Sequence, residues 1–389
     1  MREVSDHSLK EQFVAENCNF IAFCITSWHL LGVRAFLQYL HEHNVDVKGF
    51  ICISAHKDSG YVLNENSVQF YEGVEYIKLI ASTKNGVSKA AGQVSDFLTI
   101  DRIRTRGLEK VYIVSPWRPN FEWCAYLSKA MKGKEIQAVV VDEGLAEYID
   151  EKDKNVHSYN RISVSAAYHY FKDKYFKSKL ETIMTERGFV TQFSLLKTNS
   201  SADVTKKGRF IENEFAIQYY KKSLQTDSVV DEQKLHAYAS AVIINTQPFI
   251  EAGELLTEND LKLLTEVVKI FSKEGTRVVL KPHPRETNVG RYQVLAAEGN
   301  CVIDTDNKVS QESILAQLKE KPKAIIGFTS TTLLTAKLFY DIETVSLVNC
   351  MDRSDFADFQ QPTIYNFTES FRQVIHCIEN VNELLEIVK

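Results

Sequence analysis

Lys281-Pro282-His283-Pro284-Arg285 is the densest group of chemistry-bearing side chains in the sequence. Three of its five residues can be cationic, and two of the 7 prolines in the chain flank the histidine. Proline fixes its own φ and pushes the preceding residue towards extended backbone. Lys281 and His283 therefore sit on a stiff, non-helical mount. Such a cluster suits a phosphate, and an imidazole on it can hold that phosphate or protonate a leaving group. A rigid surface turn is the plainer alternative, but it leaves the histidine between two cations unexplained.

Three further groups carry polar side chains at the ends of apolar runs. Asp142-Glu143-Gly144 puts two adjacent carboxylates after Ile136–Val141, with a glycine that lets the backbone turn. A carboxylate leaving a dry sheet is partly desolvated, which raises its pKa towards the range of a general base. The competing reading is an acidic turn that caps the next element. Gly327-Phe328-Thr329-Ser330-Thr331-Thr332 places hydroxyls where a strand passes into a helix, either as an anion site or as ordinary N-caps. Asn245-Thr246-Gln247-Pro248 ends another strand and could touch a base or sugar, or be a plain turn.

Composition bounds what these groups can serve. The chain has 389 residues, 44% hydrophobic and 25% charged, with net charge −5. It lacks the broad basic field of a dedicated nucleic-acid binder. Its 7 cysteines are scattered, with no C-x-x-C pair, as in a reduced cytoplasmic protein rather than a disulfide framework or zinc site. No apolar run reaches membrane-spanning length, and no signal region opens the chain. Work at a membrane is then expected from its cytoplasmic face.

The elements that must position these residues alternate. Strands are predicted at 20–26, 47–54, 75–80, 110–115 and 136–141, with helices at 28–43, 87–106 and 121–131. A second series follows: strands at 239–245, 277–280, 301–303, 324–327 and 344–348, with helices at 257–273, 310–318, 330–339, 367–375 and 381–389. Thr257 begins a capping pattern, Thr-Glu-Asn-Asp. Such alternation predicts doubly wound parallel sheets. The expected organisation is α/β: two Rossmann-like domains with sheets facing a central cleft. One covers residues 1–235, with its core at 17–150 and an irregular interdomain stretch at 151–235. The other covers 236–389, its last helix free to pack back on the first domain. Tyr168–Leu180 alternates aromatics with lysines, as a solvated amphipathic helix does, or as a contact for an anionic glycan or membrane surface does. Lys206-Lys207-Gly208-Arg209 has the same two readings.

In their order, Asp142-Glu143-Gly144, His283-Pro284 and Ser330-Thr331-Thr332 resemble the motifs of bacterial sialyltransferases of the two-domain GT-B type. The spacing of the first two is most like the capsule polysialyltransferases. Phe23–Leu31 resembles the first strand and helix of the lipooligosaccharide enzymes. The resemblance implies inverting transfer of sialic acid from CMP-sialic acid to a glycan hydroxyl in surface-polysaccharide synthesis, with no metal or other cofactor. It implies a base at Asp142, as in the capsule group, or at Glu143, as in other sialyltransferases. His283 would assist the departing CMP. Ser330, Thr331 and Thr332 would hold its phosphate, with Lys281, Pro284 and Gln247 at the nucleotide. The implied partners are the nucleotide-sugar donor and a glycan acceptor, without nucleic acid, with peripheral contact to the inner face of the membrane left open. Two other readings stay open: a different nucleotide-sugar or CDP-alditol transferase of surface-polymer synthesis, and a non-catalytic nucleotide-sugar-binding subunit.

Overall fold

A computed structural model of the chain describes residues 18–24, 26–54, 72–79, 110–116, 134–142, 144–145, 148, 188–196, 209–210, 213–225, 229–358 and 360–388. The predicted helices at 87–106 and 121–131, the Tyr168–Leu180 stretch, Glu143, Lys206 and Lys207 lie outside them. The chain forms two compact units. One is Met1–Glu147 with Ser158–Ser223, and the other is Tyr148–His157 with Leu224–Lys389.

Among the described residues the first unit holds seven strands: β1 (Phe20–Cys24), β2 (Gly49–Ser54), β3 (Val74–Leu79), β4 (Lys110–Pro116), β5 (Glu135–Val141), β6 (Gly188–Phe193) and β7 (Arg209–Phe210). They order as β3-β2-β1-β4-β5-β6-β7, and every pairing is parallel. Parallel strands are covered on both faces, so they read as apolar runs rather than alternations. All five residues of β1, Phe-Ile-Ala-Phe-Cys, are buried. Thr26 caps helix α1 (Ser27–Glu42) by accepting the His29 N–H at 3.2 Å.

The stretch expected to be irregular supplies β6, β7 and two helices, α2 (Asn213–Gln225) and α3 (Glu232–Tyr238). β6 reads Gly-Phe-Val-Thr-Gln-Phe, too short and polar to stand out, yet it completes the pairing of β5. Helix α2 is held against α1 at three points. Tyr219 donates to Glu42 at 2.9 Å, Lys222 pairs with Glu42 at 2.8 Å, and Arg34 donates to the Ser223 carbonyl at 3.3 Å.

The second unit repeats the topology. Strands β8 (Val242–Asn245), β9 (Val278–Lys281), β10 (Cys301–Ile303), β11 (Ala324–Gly327), β12 (Glu343–Ser346) and β13 (His376–Cys377) order as β10-β9-β8-β11-β12-β13, all parallel. Its helices are α4 (Asn259–Lys273), α5 (Gln293–Ala297), α6 (Gln311–Gln317), α7 (Thr331–Tyr340), α8 (Gln361–Phe371) and α9 (Leu384–Ile387). In both units the first strand lies between the second and the fourth. That is the doubly wound order, in which ligands bind at the carboxyl ends of the strands where the order reverses.

Two expectations are corrected here. Thr257 caps the helix start without building a capping box: its hydroxyl accepts the Asn259 N–H at 3.4 Å and donates to Asp355 at 2.9 Å, while Glu258 occupies the cap position without a side-chain bond. Helix α8 begins six residues before the expected 367, with Pro362 in its first turn, where a missing N–H costs nothing. The six described cysteines are free thiols.

Candidate functional site

In the second unit, β8, β9 and β11 end side by side. Asn245 pairs in register with Lys281, and Ile244 pairs with Ile326. The residues just beyond these ends are Thr246, His283 and Phe328–Ser330, so three sequence candidates leave one edge of the sheet. Thr246 and His283 are in direct contact: the His283 backbone N–H donates to the Thr246 hydroxyl at 3.1 Å. The histidine ring is fixed from its other side. Arg285 N–H donates to His283 Nδ1 at 3.1 Å, so Nδ1 is the acceptor and the proton of the neutral ring resides on Nε2. Burial, aided by the Arg285 charge, holds His283 down at about 4. The ring is therefore neutral at physiological pH, and the chemistry left to Nε2 is that of an N–H donor.

The other cations of the cluster divide. The Lys281 ammonium is buried and bound to Asp304 at 3.4 Å, with the Asp306 carbonyl at 2.5 Å. Lys234 reaches the same Asp304 at 3.2 Å, and Tyr238 donates to it at 2.6 Å. Lys281 thus anchors the β10 end of the sheet, and burial lowers its pKa. Arg285 is exposed and forms no ion pair among the described residues. Pro284 is half-buried in the turn, and Gln247 is half-buried in the loop after β8.

The hydroxyl cluster opens α7. Ser330 is the N-cap and accepts the Thr332 N–H at 3.3 Å. Thr331 is half-buried at the first position of the helix. Thr332 turns inward and donates to Glu312 at 2.8 Å, and Thr335 donates to the same carboxylate oxygen at 3.3 Å. Gly327 lets the two switch-point strands approach: a Cβ there would meet the Asn245 carbonyl oxygen at 3.1 Å. The Asn245 amide is buried, and neither of its polar atoms is hydrogen-bonded. The helix start after β11 and the imidazole after β9 thus leave the same edge of the sheet, the kinds of group that bind anions.

Asp142 directly follows β5 in the first unit and is fully buried. Its carboxylate accepts Trp28 Nε1–H at 2.9 Å, Gly144 N–H at 2.7 Å and Leu195 N–H at 3.2 Å. Its backbone N–H donates to the Tyr220 hydroxyl at 3.0 Å, and that hydroxyl donates to the Phe193 carbonyl. One residue therefore ties the start of α1, the end of β6 and helix α2 to β5. Gly144 has φ +109°, a conformation that favours glycine and that produces the tight turn expected after the acidic pair. Sequence reasoning missed Trp28, Leu195 and Tyr220 as partners of this acid. Trp28 has a signal, an indole at the start of a helix on an otherwise aliphatic face. Among the described residues no cluster of three or more His, Cys, Asp or Glu is arranged around a metal position. No described helix is long and apolar enough to cross a membrane.

Two doubly wound parallel-sheet units define a GT-B-like fold. Solved structures share this fold at low identity. An alpha/beta-galactoside alpha-2,3-sialyltransferase from Photobacterium phosphoreum superposes with TM-score 0.53 and 15% identity, over 94% of this chain and 99% of that one. A UDP-GlcNAc 2-epimerase from Methanocaldococcus jannaschii superposes with TM-score 0.58 and 10% identity, over 95% and 91%. A transferase and an epimerase fit equally well, so the fold alone does not select the reaction. No curated protein sequence matches the chain. The selection comes from a family model, Alpha-2,8-polysialyltransferase, which matches residues 20–349. The chain belongs to the alpha-2,8-polysialyltransferase family. It is a glycosyltransferase, and sialyl transfer from CMP-sialic acid in bacterial surface-glycan synthesis is its reaction.

Proposed function

We propose that the chain adds sialic acid, with inversion at the anomeric carbon, to a terminal sialic acid of a growing surface glycan. The family description supports an acceptor that already ends in sialic acid, linked through its 8-hydroxyl. His283 carries the reading: a neutral ring, its proton on Nε2, on a stiff turn at the sheet edge that α7 also leaves. As the sugar–phosphate bond breaks, charge grows on the CMP phosphate. The His283 Nε2–H, the positive dipole end of α7 and the hydroxyls of Ser330 and Thr331 stabilise it. These groups carry the charge without a metal. Gln247 lies on the nucleotide side in this reading, while Lys281 acts indirectly by fixing the β9–β10 edge.

The base comes from the acidic pair. Asp142 takes the proton of the attacking hydroxyl in the main reading. The burial of Asp142 and its three N–H partners favour a second one, in which it braces the turn and Glu143 takes the proton. Full-length Asp142→Asn, Glu143→Gln and His283→Ala variants, assayed for CMP release from CMP-sialic acid with a short α-2,8-linked sialic acid oligomer, separate these readings. Loss of the general base should cost about 10²–10⁴-fold in kcat. A dead Asp142→Asn with native circular dichroism and an active Glu143→Gln supports Asp142, and the reverse passes the role to Glu143. Full activity in both, or in His283→Ala, overturns the proposal. Free thiols at all six described cysteines support action in a reducing compartment, and we place the reaction at the cytoplasmic side on that ground.

A further inference from the structure

Glu286 has no part in the chemistry above, yet it is wired to the histidine twice. The Thr246 hydroxyl donates to Glu286 Oε1 at 2.5 Å, while its oxygen accepts the His283 backbone N–H at 3.1 Å. The Glu286 N–H donates to the His283 carbonyl at 2.9 Å. Carboxylate, hydroxyl and histidine backbone therefore form a closed ring of contacts around the Pro284-Arg285 turn. A hydroxyl has one proton to give. With Glu286 as its acceptor, the proton is directed away from His283, and a lone pair faces the His283 N–H.

An acid is a costly choice for this place. Glu286 Oε2 is buried and makes no hydrogen bond, which carries the desolvation cost of an unsatisfied oxygen. Burial pushes the carboxyl up to about 7, against the hydrogen bonds from Thr246 and Tyr292. No helix needs the residue as a cap, since the next helical turn begins at Val289. An apolar side chain would fill the same space more cheaply but could not orient the Thr246 hydroxyl.

We propose that Glu286 is a positioning residue for sialyl transfer, acting through the Thr246 hydroxyl to fix the His283 turn and the direction of the imidazole. The inference rests on the reading of His283 given above and adds two residues that hold it.

The test uses the full chain, CMP-sialic acid and the sialic acid oligomer. Glu286→Ala should lower kcat about 10- to 100-fold with the donor KM nearly unchanged, because orientation and not binding is lost. Glu286→Gln keeps an acceptor oxygen for Thr246 and should restore kcat to within about threefold. Thr246→Val should match Glu286→Ala, and the double variant should be no worse than either single, since all three break one relay. Three results overturn the inference: wild-type kcat in Glu286→Ala, a loss carried by KM, or single losses that multiply in the double variant. Thermal midpoints of the near-isosteric Gln and Val variants separate a folding defect from a positioning one. An inactive His283→Ala beside a fully active Glu286→Ala sinks this inference alone. A fully active His283→Ala sinks the reading beneath it.

Discussion

His283 and Glu286 stand three residues apart, and burial moves their protonation in opposite directions. His283 lies at about 4, below its ordinary 6.5, chiefly because burial disfavours the cation. Glu286 lies at about 7, above its ordinary 4.5, chiefly because burial disfavours the anion. The folded histidine resists protonation, so its contribution to stability is whole above pH 6.5 and is lost as pH falls towards 4. The folded carboxyl resists ionisation, so its contribution is whole below pH 4.5 and is lost as pH rises towards 7. Between pH 4.5 and 6.5 the two oppose each other. Glu286→Gln should leave the histidine slope unmasked, so its stability relative to wild type rises with pH across that window. Partial solvent exposure limits the difference to about 1–2 kcal/mol. His283→Gln should show the opposite slope. Urea unfolding of all three proteins at pH 4.5, 5.5, 6.5 and 7.5 measures this. Parallel curves for wild type and Glu286→Gln would show that the carboxyl titrates normally. The histidine itself was legible in the sequence because proline spacing is a local signal. Its tautomer and its Glu286 relay were not, since they depend on an Arg285 N–H and a Thr246 hydroxyl whose directions only the folded turn sets.

Helix α1 shows how an element can be read correctly while its purpose stays hidden. Its apolar spacing predicts 28–43, and the helix runs Ser27–Glu42. Gly32 sits in its middle, where glycine costs about 1 kcal/mol relative to alanine. The reason lies in another element. A Cβ on Gly32 would stand 2.5 Å from the Tyr220 hydroxyl and 2.9 Å from Val141 Cβ. That hydroxyl accepts the Asp142 N–H, so the missing side chain lets α2 reach the acid at the end of β5. Gly32→Ala should therefore destabilise by about 1–3 kcal/mol despite the better helix propensity, as overpacking does. It should also lower kcat by disturbing Asp142, and Tyr220→Phe should reproduce part of that loss without the overpacking. Denaturant midpoints and CMP release measure the two effects. A stabilised and fully active Gly32→Ala would break the proposed link. Nothing in the local pattern of 188–225 announces this arrangement, because β6 is short and α2 gains its place from Tyr219, Tyr220 and Lys222 meeting α1.

At the scale of the molecule, each doubly wound unit carries a different class of group at its strand ends. The first ends β5 in a carboxylate held by N–H donors, and the second ends β8, β9 and β11 in a hydroxyl, an imidazole and a helix start. This division was the most legible feature of the sequence, since parallel sheets announce themselves as apolar runs and polar residues stand out at their ends. It makes a prediction about binding that activity assays alone do not. CMP should bind the second unit whether or not the acidic pair is intact. With CMP at about 100 times its Kd, binding should stabilise the protein by about 2.7 kcal/mol. Asp142→Asn should retain that increment while losing turnover, and His283→Ala should lose most of it. Hydrogen exchange should slow on CMP addition in the backbone at 245–248, 281–286 and 328–332, which are the segments that leave β8, β9 and β11. Protection confined to the strand ends of the first unit would place the nucleotide on the wrong sheet and remove His283 from the leaving group. Equal CMP stabilisation of wild type and His283→Ala would show that the imidazole acts on charge that appears only as the bond breaks, and kcat rather than CMP affinity would then carry its whole effect.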